Sequence, residues 1–212
     1  MNAVEKLKYK GYKIKIFYDE DAQNPYQDWD QCSDVTFWLR NYNLNSTGSG
    51  QMDFDGPDAV VDAFSRGKIV YYQWIRAYIH SVITVSLGSG YPFNDPWDSG
   101  LAGVVYVTKE KATAEFPRYG GRDLWLACER LAKTEIETLD MYLTGQVYGY
   151  VVKHKGVEVD SRWSCYGLEY CIQEAKSAVD MDIKHQARSH EQVLDEWFGF
   201  IPQEGKEDKS NA

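Results

Sequence analysis

Three residues of this 212-residue chain have the types that acid–base and nucleophilic chemistry requires. Asp98 and Ser99 lie in the segment Tyr91–Gly103, which reads Tyr-Pro-Phe-Asn-Asp-Pro-Trp-Asp-Ser-Gly-Leu-Ala-Gly, and His80 belongs to a β-rich stretch just before it. A carboxylate, a hydroxyl and an imidazole brought together would supply an orienting group, a nucleophile and a general base, as in a small hydrolase or nucleotide-modifying enzyme. The same segment also makes sense as a rigid turn, with Trp97 filling the core and Asp98 taking hydrogen bonds from nearby amides. Ser99 has no G-x-S-x-G elbow around it. The catalytic reading is therefore the alternative, and a binding protein is the preferred class.

A second concentration of chemistry is the run Asp19 to Asp34, with Asp19, Glu20, Asp21, Asp28, Asp30 and Asp34 and neither Lys nor Arg. Asp19-Glu20-Asp21 offers hard oxygen ligands, but the run lacks the D-x-[DN]-x-[DN]-G pattern of a calcium loop, and no metal is expected there. Solvated loop charge accounts for the run. Interleaved with Tyr26 and Trp29, the acids also suit a contact surface for a basic partner, which Glu191, Asp195 and Glu196 near the C-terminus would extend. His80, His154, His185 and His190 show no metal-ligand spacing, and Gly88-Ser-Gly90 lacks the helix start and the Lys of a phosphate loop. No cofactor is expected. Cys32, Cys128, Cys165 and Cys171 sit at unrelated spacings and read as buried free thiols.

These side chains must be held by regular elements. Tyr12–Tyr18 alternates Tyr12, Ile14, Ile16 and Tyr18 with Lys13, Lys15 and Phe17, the period of a half-buried strand. Val35–Arg40, Ile69–Ile75, Tyr78–Ser86 and the apolar run Leu101–Val107 read as further strands, the last covered on both faces. Asn41–Gly50 and Leu87–Gly100 are loops by composition. A short helix follows Asp55-Gly-Pro-Asp58 and stops at Gly67, and Thr108 caps another over Lys109–Phe116. The longest periodic stretch is Arg122–Leu143, with Leu124, Cys128, Leu131, Glu135, Leu139 and Tyr142 along one side. Val147–Lys153 and Val157–Trp163 form a hairpin through Lys155-Gly156. Leu168–Gln186 is a helix, and Glu191–Phe198 adds a last helical segment.

Hairpins outnumber strand–helix alternations, so the expected fold is α+β: an antiparallel or mixed sheet of about six to seven strands with helices mainly on one face. One domain over residues 1–202 and a charged, disordered tail from Gln203 to Ala212 are expected. The net charge is −9, which argues against a generic nucleic-acid binder, although a local basic patch is compatible with it. No apolar run approaches the roughly 18–20 residues of a membrane span. A cytoplasmic protein with no membrane partner is expected.

Phe17-Tyr18-Asp19-Glu20-Asp21-Ala22-Gln23-Asn24-Pro25 with Trp29-Asp30, Arg40-Asn41-Tyr42-Asn43-Leu44, Pro96-Trp97-Asp98-Ser99-Gly100 with Gly103-Val104-Val105-Tyr106-Val107, and Tyr142-Leu143-Thr144-Gly145-Gln146-Val147-Tyr148-Gly149-Tyr150 occur in this order. The set resembles a family of uncharacterised proteins encoded by bacteriophages and mobile elements, over about Tyr12 to Asp182. The resemblance brings no catalytic or binding residue. It implies a phage or mobile-element protein acting in a host bacterium. In that setting, inhibition of a defence system of the CRISPR or restriction kind is the expected function, with an acidic nucleic-acid-like surface occupying a basic host channel. The expected partner is a basic host protein, with no direct nucleic-acid contact.

Overall fold

The structure, a computed structural model, describes residues 2–39, 42–47, 52, 54–88 and 99–198; the side chains of residues 99, 190, 191 and 193–198 lie outside the described set. In chain order the elements are β1 (Glu5–Tyr9), β2 (Tyr12–Tyr18), β3 (Asp34–Phe37), α1 (Pro57–Ser65), β4 (Ile69–Ile79), β5 (Ile83–Leu87), β6 (Ser99–Thr108), α2 (Lys109–Glu115), α3 (Gly121–Leu143), β7 (Val147–His154), β8 (Val157–Tyr166) and α4 (Leu168–Phe198). The strands form two antiparallel sheets of four, ordered β1-β2-β7-β8 and β3-β6-β4-β5.

In the first sheet, β2 buries Tyr12, Ile14 and Ile16 and exposes Lys13 and Lys15. Its buried face continues into Tyr148, Tyr150 and Val152 of β7, and α4 closes it with Cys171, Ala175 and Val179. Each fully buried side chain of Ile size contributes about 1.5–3 kcal/mol, so one covered face is enough to hold helix and sheet together. Both hairpins of this sheet turn on a Lys-Gly pair. Lys10 and Gly11 have φ of 47° and 85°, and Lys155 and Gly156 have φ of 50° and 90°. Two successive positive φ values give the backbone twist that a two-residue hairpin loop requires.

The second sheet is covered on both sides, which is why β6 is almost continuously apolar. Val105 and Val107 face Leu124, Cys128, Ala132, Ile136 and Leu139 of α3. Val104 and Tyr106 face Phe54 and Val60 and Ala63 of α1. β4 serves both cores by alternation, Tyr71 and Ile75 on the α3 side and Tyr72 and Trp74 on the α1 side, and a bulge between Ile69 and Tyr71 puts Ile69 on the α1 side. Thr108 caps α2, its side chain accepting from the Lys111 backbone N–H.

The α+β class is as expected, and the sheet count is not. Eight strands in two sheets replace one sheet of six to seven. The extra strand, β1, offers only Leu7 and Tyr9 to the core between exposed Lys6 and Lys8, too little apolar periodicity to stand out. Helices do not gather on one face, since α1 and α3 flank opposite sides of the second sheet. The boundary between the middle strands also moves: β4 runs on to Ile79, and β5 starts at Ile83. The last two helical segments are one continuous helix, α4. Arg40 and the tail Gln203–Ala212 fall outside the described residues. Among the described residues, no helix is long and apolar enough to cross a membrane.

Candidate functional site

The acidic run leaves the end of β2 and crosses from the first sheet to the second. Asp19 donates its backbone N–H to Val147 O at 2.9 Å, and its Oδ2 accepts from the Ser164 backbone N–H at 2.8 Å. Ser164 has φ of 59° and lies where the β7–β8 register shifts between Tyr148 and Tyr150. The carboxylate thus holds an outlying backbone conformation in place. Beyond Asp19, the chain turns on itself: Asn24 N–H donates to Asp28 Oδ2 at 2.7 Å, and Asn24 Oδ1 accepts from Tyr26 N–H at 3.0 Å. These are the local side-chain-to-backbone bonds that make Asn and Asp turn formers. Trp29 donates Nε1–H to Gln23 Oε1 at 3.0 Å and meets the Tyr166 ring edge-on at 4.9 Å, while the Tyr166 hydroxyl donates to Gln23 O.

The far end of the run is anchored in the core. Tyr26 is 2% exposed, its hydroxyl 2.7 Å from Ser33 Oγ. Glu135 of α3 accepts from Cys32 N–H at 3.1 Å, from Ser33 N–H at 2.9 Å and from the Ser33 hydroxyl. Burial pushes the Glu135 carboxyl up, and the bonds from Ser33 and Cys32 pull it back only in part. Asp34 is buried and pairs with Lys111 Nζ at 2.8 Å; burial raises its carboxyl despite the ammonium beside it.

The carboxylates of the run therefore divide. Asp19, Asp28 and Asp34 are held by the protein's own donors. Glu20, Asp21 and Asp30 are exposed, and none of them joins an ion pair among the described residues. Glu20 and Asp21 border a cleft of about 360 Å³ together with Asp19, Gln23, Trp163 and Ser164. Among the described residues, no cluster of three His, Cys, Asp or Glu side chains is placed to hold a metal ion.

Two expectations need correction. Tyr26 cannot serve as a contact residue, because its ring and hydroxyl belong to the core. Glu191, Asp195 and Glu196 do not extend the acidic corner. α4 starts at Leu168, beside the Tyr166 that packs on Trp29, and at about 1.5 Å per residue Glu191 lies roughly 35 Å along the helix from that start. Their side chains are outside the described residues.

Asp98 and the segment 89–98 also lie outside the described residues. The backbone of Ser99 pairs with Tyr78, two residues before His80, so strand pairing brings those two positions to one end of the sheet. His80 itself is exposed, its ring parallel to that of Tyr78 with centroids 6.3 Å apart. The four cysteines are free, with Cys128, Cys165 and Cys171 buried and Cys32 half-buried.

Comparison with known protein families, with characterised proteins and with solved structures returns no match.

A feature signalled in sequence only by the Lys-rich segment Lys6–Lys15 lies on the other side of the first sheet. The face of β1, β2 and β7 turned away from α4 carries Lys6, Lys8, Lys13, Lys15 and Lys153, all exposed. Their grouping arises from strand register, and no sequence window contains all five.

Proposed function

We propose that this chain is an interaction protein of phage or mobile-element origin that inhibits a bacterial defence system by direct binding. Its contact surface is the acidic run from the end of β2, where exposed Glu20 and Asp21 border Trp163 and exposed Asp30 follows exposed Trp29, none of the three acids joining an ion pair among the described residues. That observation carries the reading. Uncompensated carboxylates next to indole rings match a basic, partly apolar groove such as a nucleic-acid channel, and complementary charge would speed the encounter. The CRISPR or restriction type of target follows from the family resemblance.

The test is a phage-plating assay in a host carrying a CRISPR or restriction system, with wild type and the triple variant Glu20→Lys, Asp21→Lys and Asp30→Lys. Wild type should restore plating and the triple variant should not, while both keep the same melting temperature because all three residues are exposed. The purified complex should also weaken steeply with salt. Equal protection by the triple variant, or an affinity unchanged between low and high ionic strength, would overturn the acidic-contact reading.

A further inference from the structure

The lysine face of the first sheet is arranged in rows. Register places Lys8 opposite Lys13 and Lys13 opposite Lys153; the next row joins Lys6 to Lys15 and Lys15 to Val151. The third row on the same face is apolar, with Phe17 opposite Gly149 and Trp163 lying over Gly149. A Cβ added at Gly149 would come within 2.2 Å of the Trp163 ring, so the indole rests flat on the strand where a side chain would otherwise stand. Phe17 flanks it with ring centroids 6.2 Å apart, and Trp163 keeps 40% of its surface exposed.

This arrangement is unfavourable on its own. Like charges directly opposite one another across a sheet are destabilising, and here Lys8–Lys13, Lys13–Lys153 and Lys6–Lys15 are three such pairs. None of the five lysines forms an ion pair among the described residues. The acid opposite this patch is Glu158, across from Lys153 at its edge. In a chain with net charge −9, a face of five lysines, with Glu158 opposite only Lys153 and acids only at its Trp163 end, suits an anionic occupant.

We infer that this face binds single-stranded nucleic acid, with phosphates on the two lysine rows and bases stacked on Trp163 and Phe17. Four strands at about 4.8 Å spacing make a platform about 14 Å wide. Single strands are bound on such surfaces by a basic track beside aromatic rings, since every base offers a π-face. A broad four-stranded face is not shaped to enter a duplex major groove, which admits a helix or a two-stranded ribbon. The lysine rows are distinct from the proposed inhibitory contact, but Trp163 borders both, since it also lines the cleft with Glu20 and Asp21, so only the Lys13 and Lys15 variant separates the two readings.

The experiment is fluorescence anisotropy of labelled ten-nucleotide oligo-U and oligo-dT over a range of salt concentrations, with a hairpin duplex and phosphatidylserine vesicles as comparisons. Wild type should bind the single strands with an affinity that falls on a log–log plot against salt. Replacing Lys13 and Lys15 by Gln should weaken binding about tenfold at low salt and reduce that slope by about 1.4, since each phosphate contact on a single strand contributes about 0.7. Trp163→Leu keeps apolar cover over Gly149 and loses the extended π-face, and should weaken binding without changing the slope. Removing Lys13 and Lys15 relieves like-charge pairs, so that variant should fold at least as well as wild type. The inference is overturned if wild type binds neither oligonucleotide at low salt. It is also overturned if vesicles or duplex are preferred to single strands, or if Trp163→Leu binds as tightly as wild type.

Discussion

Glu135 was legible in sequence as the one charged member of an otherwise apolar helix face, but the reason for its presence was not. Its carboxylate collects the Cys32 and Ser33 amides and the Ser33 hydroxyl, three donors that would otherwise be stranded at the start of β3. Glu135→Ala leaves them without an acceptor and should cost about 3 kcal/mol in urea unfolding. Glu135→Gln keeps an acceptor and removes the charge. Because burial raises the folded-state carboxyl above its unfolded value, the folded wild type binds the extra proton in the window between those two values. The wild-type contribution is therefore most favourable below that window and declines as pH rises through it. The stability difference between wild type and Glu135→Gln should accordingly shift toward wild type as pH falls from neutral toward the ordinary carboxylate range. A pH-independent difference would contradict a carboxylate whose burial is only partly offset by its hydrogen bonds.

At the scale of elements, the apolar run Leu101–Val107 predicted a strand covered on both faces, and β6 is that strand. What the pattern could not show is how closely β3 approaches it. A Cβ at Gly103 would lie 2.3 Å from the Thr36 carbonyl oxygen and 3.0 Å from the Phe37 Cα, both backbone atoms that cannot rotate away. Gly103→Ala should therefore push β3 off β6 and cost about 2 kcal/mol or more, seen as a lower melting temperature with early loss of amide-exchange protection in β3. Gly100→Ala, which meets nothing within 4 Å, is the matched control. The hairpin signal at Lys155-Gly156 was readable because strong β-formers flank it. Lys10-Gly11 has the same turn chemistry but was hidden behind the Lys-rich strand β1.

For the whole molecule, the core of the first sheet and the two cores of the second are joined at the acidic corner. Asp19 bonds Val147 and Ser164, Tyr166 bonds Gln23, and Trp29 packs on Tyr166. A double variant Asp19→Ala with Tyr166→Phe should loosen that seam. The expected outcome is a broader urea transition with a lower apparent m-value, as the two sheets with their cores unfold less cooperatively. An unchanged m-value would mean that the cores are coupled elsewhere. Neighbouring acids of the corner thus differ: Asp19 and Asp28 hold backbone amides, whereas Glu20, Asp21 and Asp30 are exposed.

The sequence by itself determined the α+β class, most helices and strands, the both-face burial of β6 and the turn residues, because those depend on periodicities and backbone preferences that act within a few positions. Tertiary structure alone decided that the strands divide into two sheets and that Tyr26 belongs to the core. It also separated the acids near the C-terminus from the corner by the length of α4. Above all it segregated charge: a chain with net charge −9 gathers five lysines from three strands onto one face. The Lys-rich segment Lys6–Lys15 supplies four of the five, but only register, which pairs residues as far apart as Lys13 and Lys153, turns them to one face.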